Sequence, residues 1–167
     1  MPSARVHAGH VVAGLGALLT IAALWMPWYV LSSPEPLGAF ARGMLRALGQ
    51  AMTLDAWTVF GGTDALLAGA GALVVVAALA AASDRVDAEA AARGIAVVGT
   101  AAFALVVMKL VDQPGPDALL EVHYGAWTAA AGSAMMVVGG LAALSPARRS
   151  APRPTWSSPD SVPPPYR

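Results

Sequence analysis

The chain has 167 residues, 57% of them hydrophobic and only 12% charged, with a mean hydropathy of +0.61. Soluble domains carry about a quarter charged residues, so this composition excludes an ordinary soluble domain and points to a membrane protein. Ten basic and ten acidic residues cancel, which argues against nucleic acid as a partner, and the absence of cysteine removes disulfides and thiolate metal sites.

A hydrocarbon core of about 30 Å needs about 20 mostly apolar residues at helical rise. Four segments meet that requirement, so the expected fold is all-α: a four-helix transmembrane bundle over residues 9–145, between a cytoplasmic N-terminus (1–8) and a disordered cytoplasmic tail (146–167).

The first span is expected from Gly9 to Leu31. Arg5 and the run from Val11 to Trp25 have the layout of a signal peptide, but the run continues through "WMPWYV" with no small-residue cleavage site, so it reads as a retained anchor. Pro27 is expected to tilt its last turn. His7 and His10, three apart, lack a third strong ligand and make a poor metal site.

After "SSPEP" comes "PLGAFARGMLRALGQAMTLDAW". Leu37, Phe40, Met44, Leu48 and Met52 recur on one side and Arg42, Arg46 and Gln50 on another, the pattern of a short amphipathic helix over about 37–52. Beside two spans it would lie in the outer headgroup layer with its arginines on lipid phosphates. A docking surface or a lid over the bundle is the functional alternative.

Trp57 and Phe60 lead into the second span, 63–82, which carries Asp64 near its outer end. The turn "SDRVDAEAAAR" leads to the third span, 94–111, whose end "FALVVMKLVDQP" holds Lys109, the only lysine. A charge in hydrocarbon costs about 2.5–3.5 kcal/mol on insertion scales, so Lys109 needs a reason. The simplest is snorkelling to the headgroups; the second is an intramembrane ion pair with Asp64; the third is a substrate or proton path. His123, near Asp117 and Glu121, lies before the fourth span, 125–144, which opens with Tyr124 and Trp127. The tail "SPARRSAPRPTWSSPDSVPPPYR" is too polar and proline-rich to pack.

Arg5, Arg85, Arg93, Arg148, Arg149 and Arg153 fall on one side of the four spans, against Arg42, Arg46 and Lys109 on the other. The positive-inside rule then places both termini in the cytoplasm of a multi-pass plasma-membrane protein. On that topology Trp25, Trp28, Tyr29, Trp57, Tyr124 and Trp127 share the outer side and read as an interfacial aromatic belt, a ligand-stacking site being the sharper alternative.

The span centres hold no charge. Thr20, Thr100 and Ser133 can each bond a carbonyl one turn back on their own helix. Small residues four apart, Gly61, Ala65 and Gly69, and Gly125, Ala129 and Ser133, predict tight packing within one subunit. Taken together, "LWMPWY", "AWTVFGGTDALL", "VDQP" and "YGAWTAAAG" resemble a group of small four-span membrane proteins found in actinobacteria, over most of residues 9–145. That resemblance implies architecture and no chemistry. Tetraspan claudin-like proteins also have an aromatic first outer loop, but their paired cysteines are absent.

No phosphate-binding glycine loop, nucleophile elbow or metalloprotease helix motif occurs. No catalytic, metal or cofactor residue is therefore expected. The leading expectation is a non-enzymatic scaffold or accessory protein whose partners are the lipid bilayer and a membrane protein or a second copy. The alternative is a small transporter or channel subunit.

Overall fold

The computed structural model describes residues 8–31, 39–40, 43–44, 47, 53–83, 85–112 and 120–145. In chain order they form α1 (Ala8–Ala23), β1 (Pro27–Leu31), β2 (Thr53–Asp55), the single turn α2 (Ala56–Val59), α3 (Thr63–Ala82), α4 (Ala88–Val111), β3 (Leu120–Val122) and α5 (Tyr124–Leu144). The protein is mostly helical, as expected, with four substantial helices. The strands correct the all-α expectation.

The first correction follows from Pro27. Proline has no N–H and its ring disfavours helical backbone in the residue before it, so α1 ends at Ala23, well short of the expected Leu31. The N–H groups of Leu24, Trp25 and Met26 turn back to the carbonyls of Ile21, Ala22 and Ala23 at 3.1–3.2 Å, a tightened final turn. Pro27 does not tilt the helix but opens a strand, a position where its missing donor is tolerated. The aromatic and β-branched residues behind it, Trp28, Tyr29 and Val30, suit a pleated surface.

β1 is the centre of a three-stranded antiparallel sheet, order β2-β1-β3. Tyr29 stands opposite Leu54 of β2 and opposite Val122 of β3, and the pairing with β2 slips between Pro27 and Tyr29. That slip has a packing consequence. Adjacent strand residues normally face opposite sides, yet Trp28 and Tyr29 are both 0% exposed, and a bulge re-aims side chains in this way.

α3 and α5 match the expected spans almost residue for residue, whereas α4 starts at Ala88, six residues before the expected Gly94. Asp87 explains the early start, because its carboxylate accepts the Ala90 N–H at 2.8 Å and so caps the first turn. Glu89 and Arg93 add an ion pair one turn apart.

The helices form a ring in which α1 touches α3 and α5, and α4 touches the same two. The α1–α5 contact is a glycine seam. Gly9 and Gly16, seven apart, meet Gly139 and Gly132, also seven apart, on the antiparallel partner: a Cβ on Gly132 would stand 2.7 Å from the Gly16 carbonyl oxygen, and one on Gly9 2.5 Å from that of Gly139. Seven-residue spacing keeps one face on its partner along the whole contact, and the absent side chains let the backbones touch. Of the ridges four apart, Gly125, Ala129 and Ser133 are buried, but Gly61 and Gly69 have no neighbour within 4 Å and Ala65 is exposed. The first ridge therefore does not pack inside the subunit.

Three helices, α3, α4 and α5, are long and apolar enough to cross a membrane; α1 is apolar but has 16 residues. Their outward faces carry Leu15, Leu66, Val76, Val97, Val138 and Leu141, each at least half exposed, a surface that needs hydrocarbon around it. The chain is a membrane protein.

Within the expected 37–52 helix, residues 39, 40, 43, 44 and 47 are helical, and Phe40 and Met44 are exposed. Arg42 and Arg46 lie outside the described residues, as does the tail over 146–167.

Candidate functional site

The most elaborate chemistry sits where the sheet closes one end of the bundle. Its centre is Phe60, 6% exposed. The single turn α2 delivers it through a Phe60 N–H bond to the Ala56 carbonyl at 3.0 Å. Gly61 and Gly62 then take positive φ values of 50° and 111°, a reversal that side chains with a Cβ resist, and the chain enters α3. Asp64, in the first turn of α3, accepts the Gly62 N–H at 2.9 Å and fixes that reversal. An acidic group there also meets the positive end of the helix dipole.

Trp28 meets Phe60 edge-on at 4.7 Å between ring centroids, and Tyr29 meets it edge-on at 6.3 Å. Both geometries are favourable for aromatic pairs. Each of these side chains also caps a helix. The last four carbonyls of a helix have no partner within it; the Trp28 indole N–H donates to the Ala23 carbonyl of α1 at 2.8 Å, and the Tyr29 hydroxyl donates to the Lys109 carbonyl of α4 at 2.5 Å. One strand thus ties together the ends of two helices. Tyr29 lies on β1, beyond the helical shafts, and burial, followed by the nearby Asp112 carboxylate, pushes its phenol above the ordinary tyrosine range.

The Lys109 ammonium lies over the face of Phe60, 5.3 Å from the ring centroid, in cation–π range. It stands in the last turn of α4, where the helix dipole favours a cation. No ion pair joins it to Asp64; Asp64 holds the glycine turn instead. The Phe60 face is thus a partner for Lys109 that neither snorkelling nor the Asp64 pair names.

The expected belt divides in two. Trp25, Trp57, Tyr124 and Trp127 are 40–63% exposed, and Trp25 and Trp57 lie 5.5 Å apart with their rings tilted by 52°. Trp28 and Tyr29 are both 0% exposed, drawn by the sheet into the core. Thr20, Thr100 and Ser133 bond back to Gly16, Ala96 and Ala129 at 2.8–3.0 Å, as their helical setting suggests. Among the described residues no three His, Asp or Glu side chains come together as a metal set would require.

Comparison with protein families, with characterised proteins and with solved structures finds no match.

Chemically, the capped end is a buried aromatic cluster, while Trp25, Trp57, Tyr124 and Trp127 stay exposed. The central role of Phe60 and the double capping by Trp28 and Tyr29 were not apparent from sequence. The only signal was "PWYVL", strand-like chemistry straight after a proline.

Proposed function

We propose that this is a multi-pass plasma-membrane protein that acts without catalysis, as a scaffold or accessory subunit that presents its capped end to a partner outside the cell. The observation that carries the reading is the division of labour among the six aromatic residues: two lock the cap to the helix ends, leaving four exposed on a platform that cannot easily deform. A buried anchor set beneath an exposed aromatic rim suits recognition of another protein better than it suits a conduit. The glycine seam adds support, because backbones in contact along α1 and α5 leave no water path between them.

A fourth crossing by α1 is supported by its alignment with α5. Gly9 abuts Gly139 and Ala143, and the Pro27 carbonyl abuts Gly125, so residues 9–27 run beside a stretch of α5 about 27 Å long. The basic residues Arg85 and Arg93 at the opposite end favour cytoplasmic termini.

Cross-linking in intact membranes, followed by purification of the full chain, tests the proposal. The expected result is one stoichiometric partner, lost in a Trp57→Ser, Trp127→Ser double variant whose helical circular dichroism is unchanged. Absence of any partner, or a partner that ignores the double substitution, refutes it. The rival reading, a transporter or channel subunit, is supported by Lys109 at a bundle end and would require a solute flux in reconstituted vesicles that Lys109→Ala abolishes.

A further inference from the structure

At the uncapped end, α1 and α3 part to leave a lateral groove of ≈ 330 Å³. Leu15 and Leu18 form one wall, Val75 and Leu79 the other, and Gly14 and Ala78 the floor. The groove exists because those floor residues are small: even a Cβ on Gly14 would sit 3.8 Å from the Ala78 Cβ, in ordinary contact, with nothing closer. It extends from Leu18 to His10, about 12 Å of helix, and its lining is almost wholly apolar. Leu15 and Leu18 are more than half exposed, so the groove opens sideways toward the surrounding hydrocarbon, not into the bundle.

Leu79 also borders a second hollow, formed with Ser83 and Arg85 at the end of α3. Arg85 is fixed there by its backbone, whose N–H donates to the Ala80 carbonyl at 3.0 Å in the six-residue closure typical of helix ends. The neighbouring ion pair joins Arg93 to Glu89 and leaves the Arg85 guanidinium aside. An apolar slot and a cation thus share one boundary residue at one end of the bundle.

We infer that the α1–α3 groove seats one acyl chain of an anionic phospholipid whose phosphate lies at Arg85. Apart from His10 the slot is lined by hydrocarbon, and the arginine of the hollow that shares Leu79 with it adds charge complementarity to a phosphate, for which its planar fork of donors is suited. Empty, the groove would leave its lining without contact atoms on one side; a chain laid along it restores those contacts. A net negative headgroup is selected over a zwitterionic one because the latter brings its own cation to the phosphate. The inference rests on the membrane placement proposed above, which flotation of the full chain with vesicles reads separately.

Native mass spectrometry of the full-length protein in detergent, titrated with phosphatidylglycerol or phosphatidylcholine, tests it. Phosphatidylglycerol is expected to bind about fivefold more tightly, the scale of one arginine near an anionic headgroup. Arg85→Gln should bring the two lipids level, and Gly14→Leu, which fills the slot, should weaken both. Ala82→Leu at the groove's end serves if Gly14→Leu fails to fold. Equal binding of the two lipids by the unaltered chain, undiminished phosphatidylglycerol binding after Arg85→Gln, or binding that survives a filled groove overturns the site. A chain that does not float overturns the membrane placement and the site with it.

Discussion

Substituting alanine at Gly132 and, separately, at Gly69 isolates the steric contribution of the glycine seam. Both residues are inside apolar helices, and in each case alanine should gain about 1 kcal/mol of helix propensity over glycine. The surroundings differ completely. Gly69 has open space where its Cβ would go, so Gly69→Ala is expected to be neutral or stabilising by up to that amount. At Gly132 the new Cβ would stand 2.5 Å from Thr20 Oγ1, 2.7 Å from the Gly16 carbonyl oxygen and 2.8 Å from the Thr20 nitrogen. Two of those atoms are backbone, and the third is held by its own bond to Gly16, so no side-chain rotation relieves the clash. α1 must move away by roughly 1 Å, which forfeits up to about half of each dispersion contact along the seam. Overpacking of this kind costs about 1–3 kcal/mol. Because the propensity gain is common to both variants, the difference between them should be that whole amount. Unfolding in mixed micelles of rising sodium dodecyl sulfate content, followed by helical circular dichroism, measures it. A Gly132→Ala protein as stable as Gly69→Ala would refute the backbone contact on which the seam depends.

Three further outcomes are expected. Tyr29→Phe removes the donor to the Lys109 carbonyl and should destabilise the chain by about 1–2 kcal/mol, with faster amide exchange at the end of α4 read by mass spectrometry. The Tyr29 phenol is raised above the ordinary value of about 10. Its neutral form therefore contributes stability that is complete below that pH and lost as pH rises through the raised value; alkaline unfolding midpoints should show this loss in the unaltered protein and not in Tyr29→Phe. Lys109→Met keeps an apolar stem but loses the charge over Phe60, and the micelle unfolding assay should register a loss of about 0.5–2 kcal/mol that Phe60→Leu already includes. Additive losses in the double variant would show that the two groups do not interact.

The parts of the fold that sequence reveals are those written over many residues. The apolar run between Gly62 and Ser83 sets α3, and the run after Tyr124 sets α5, because about 20 mostly apolar residues leave few other options. The strands are illegible for the opposite reason. Thr53–Asp55 and Leu120–Val122 are three residues each, too short for alternation to register, and β1 looks like more of the preceding span until its pairing is seen. The seam is hidden in composition. Among 17 glycines, only the reciprocity of Gly9 and Gly16 with Gly139 and Gly132 across two helices separates contact from coincidence. Within the aromatic site, residue type does announce a layer near the membrane surface. It does not reveal that a one-residue slip turns Trp28 inward beside Tyr29, since that depends on a partner strand more than twenty residues away.

The sheet also dictates a timetable. Its middle strand leaves the ribosome early, yet one of its two neighbours is made only after α4, some ninety residues later. Until then the middle strand has an open edge, the kind of surface that recruits unwanted strands. Closure of the sheet is therefore a late event in biogenesis. A chain cut short before β3 would display that edge, and a quality-control protease could recognise it as unfinished.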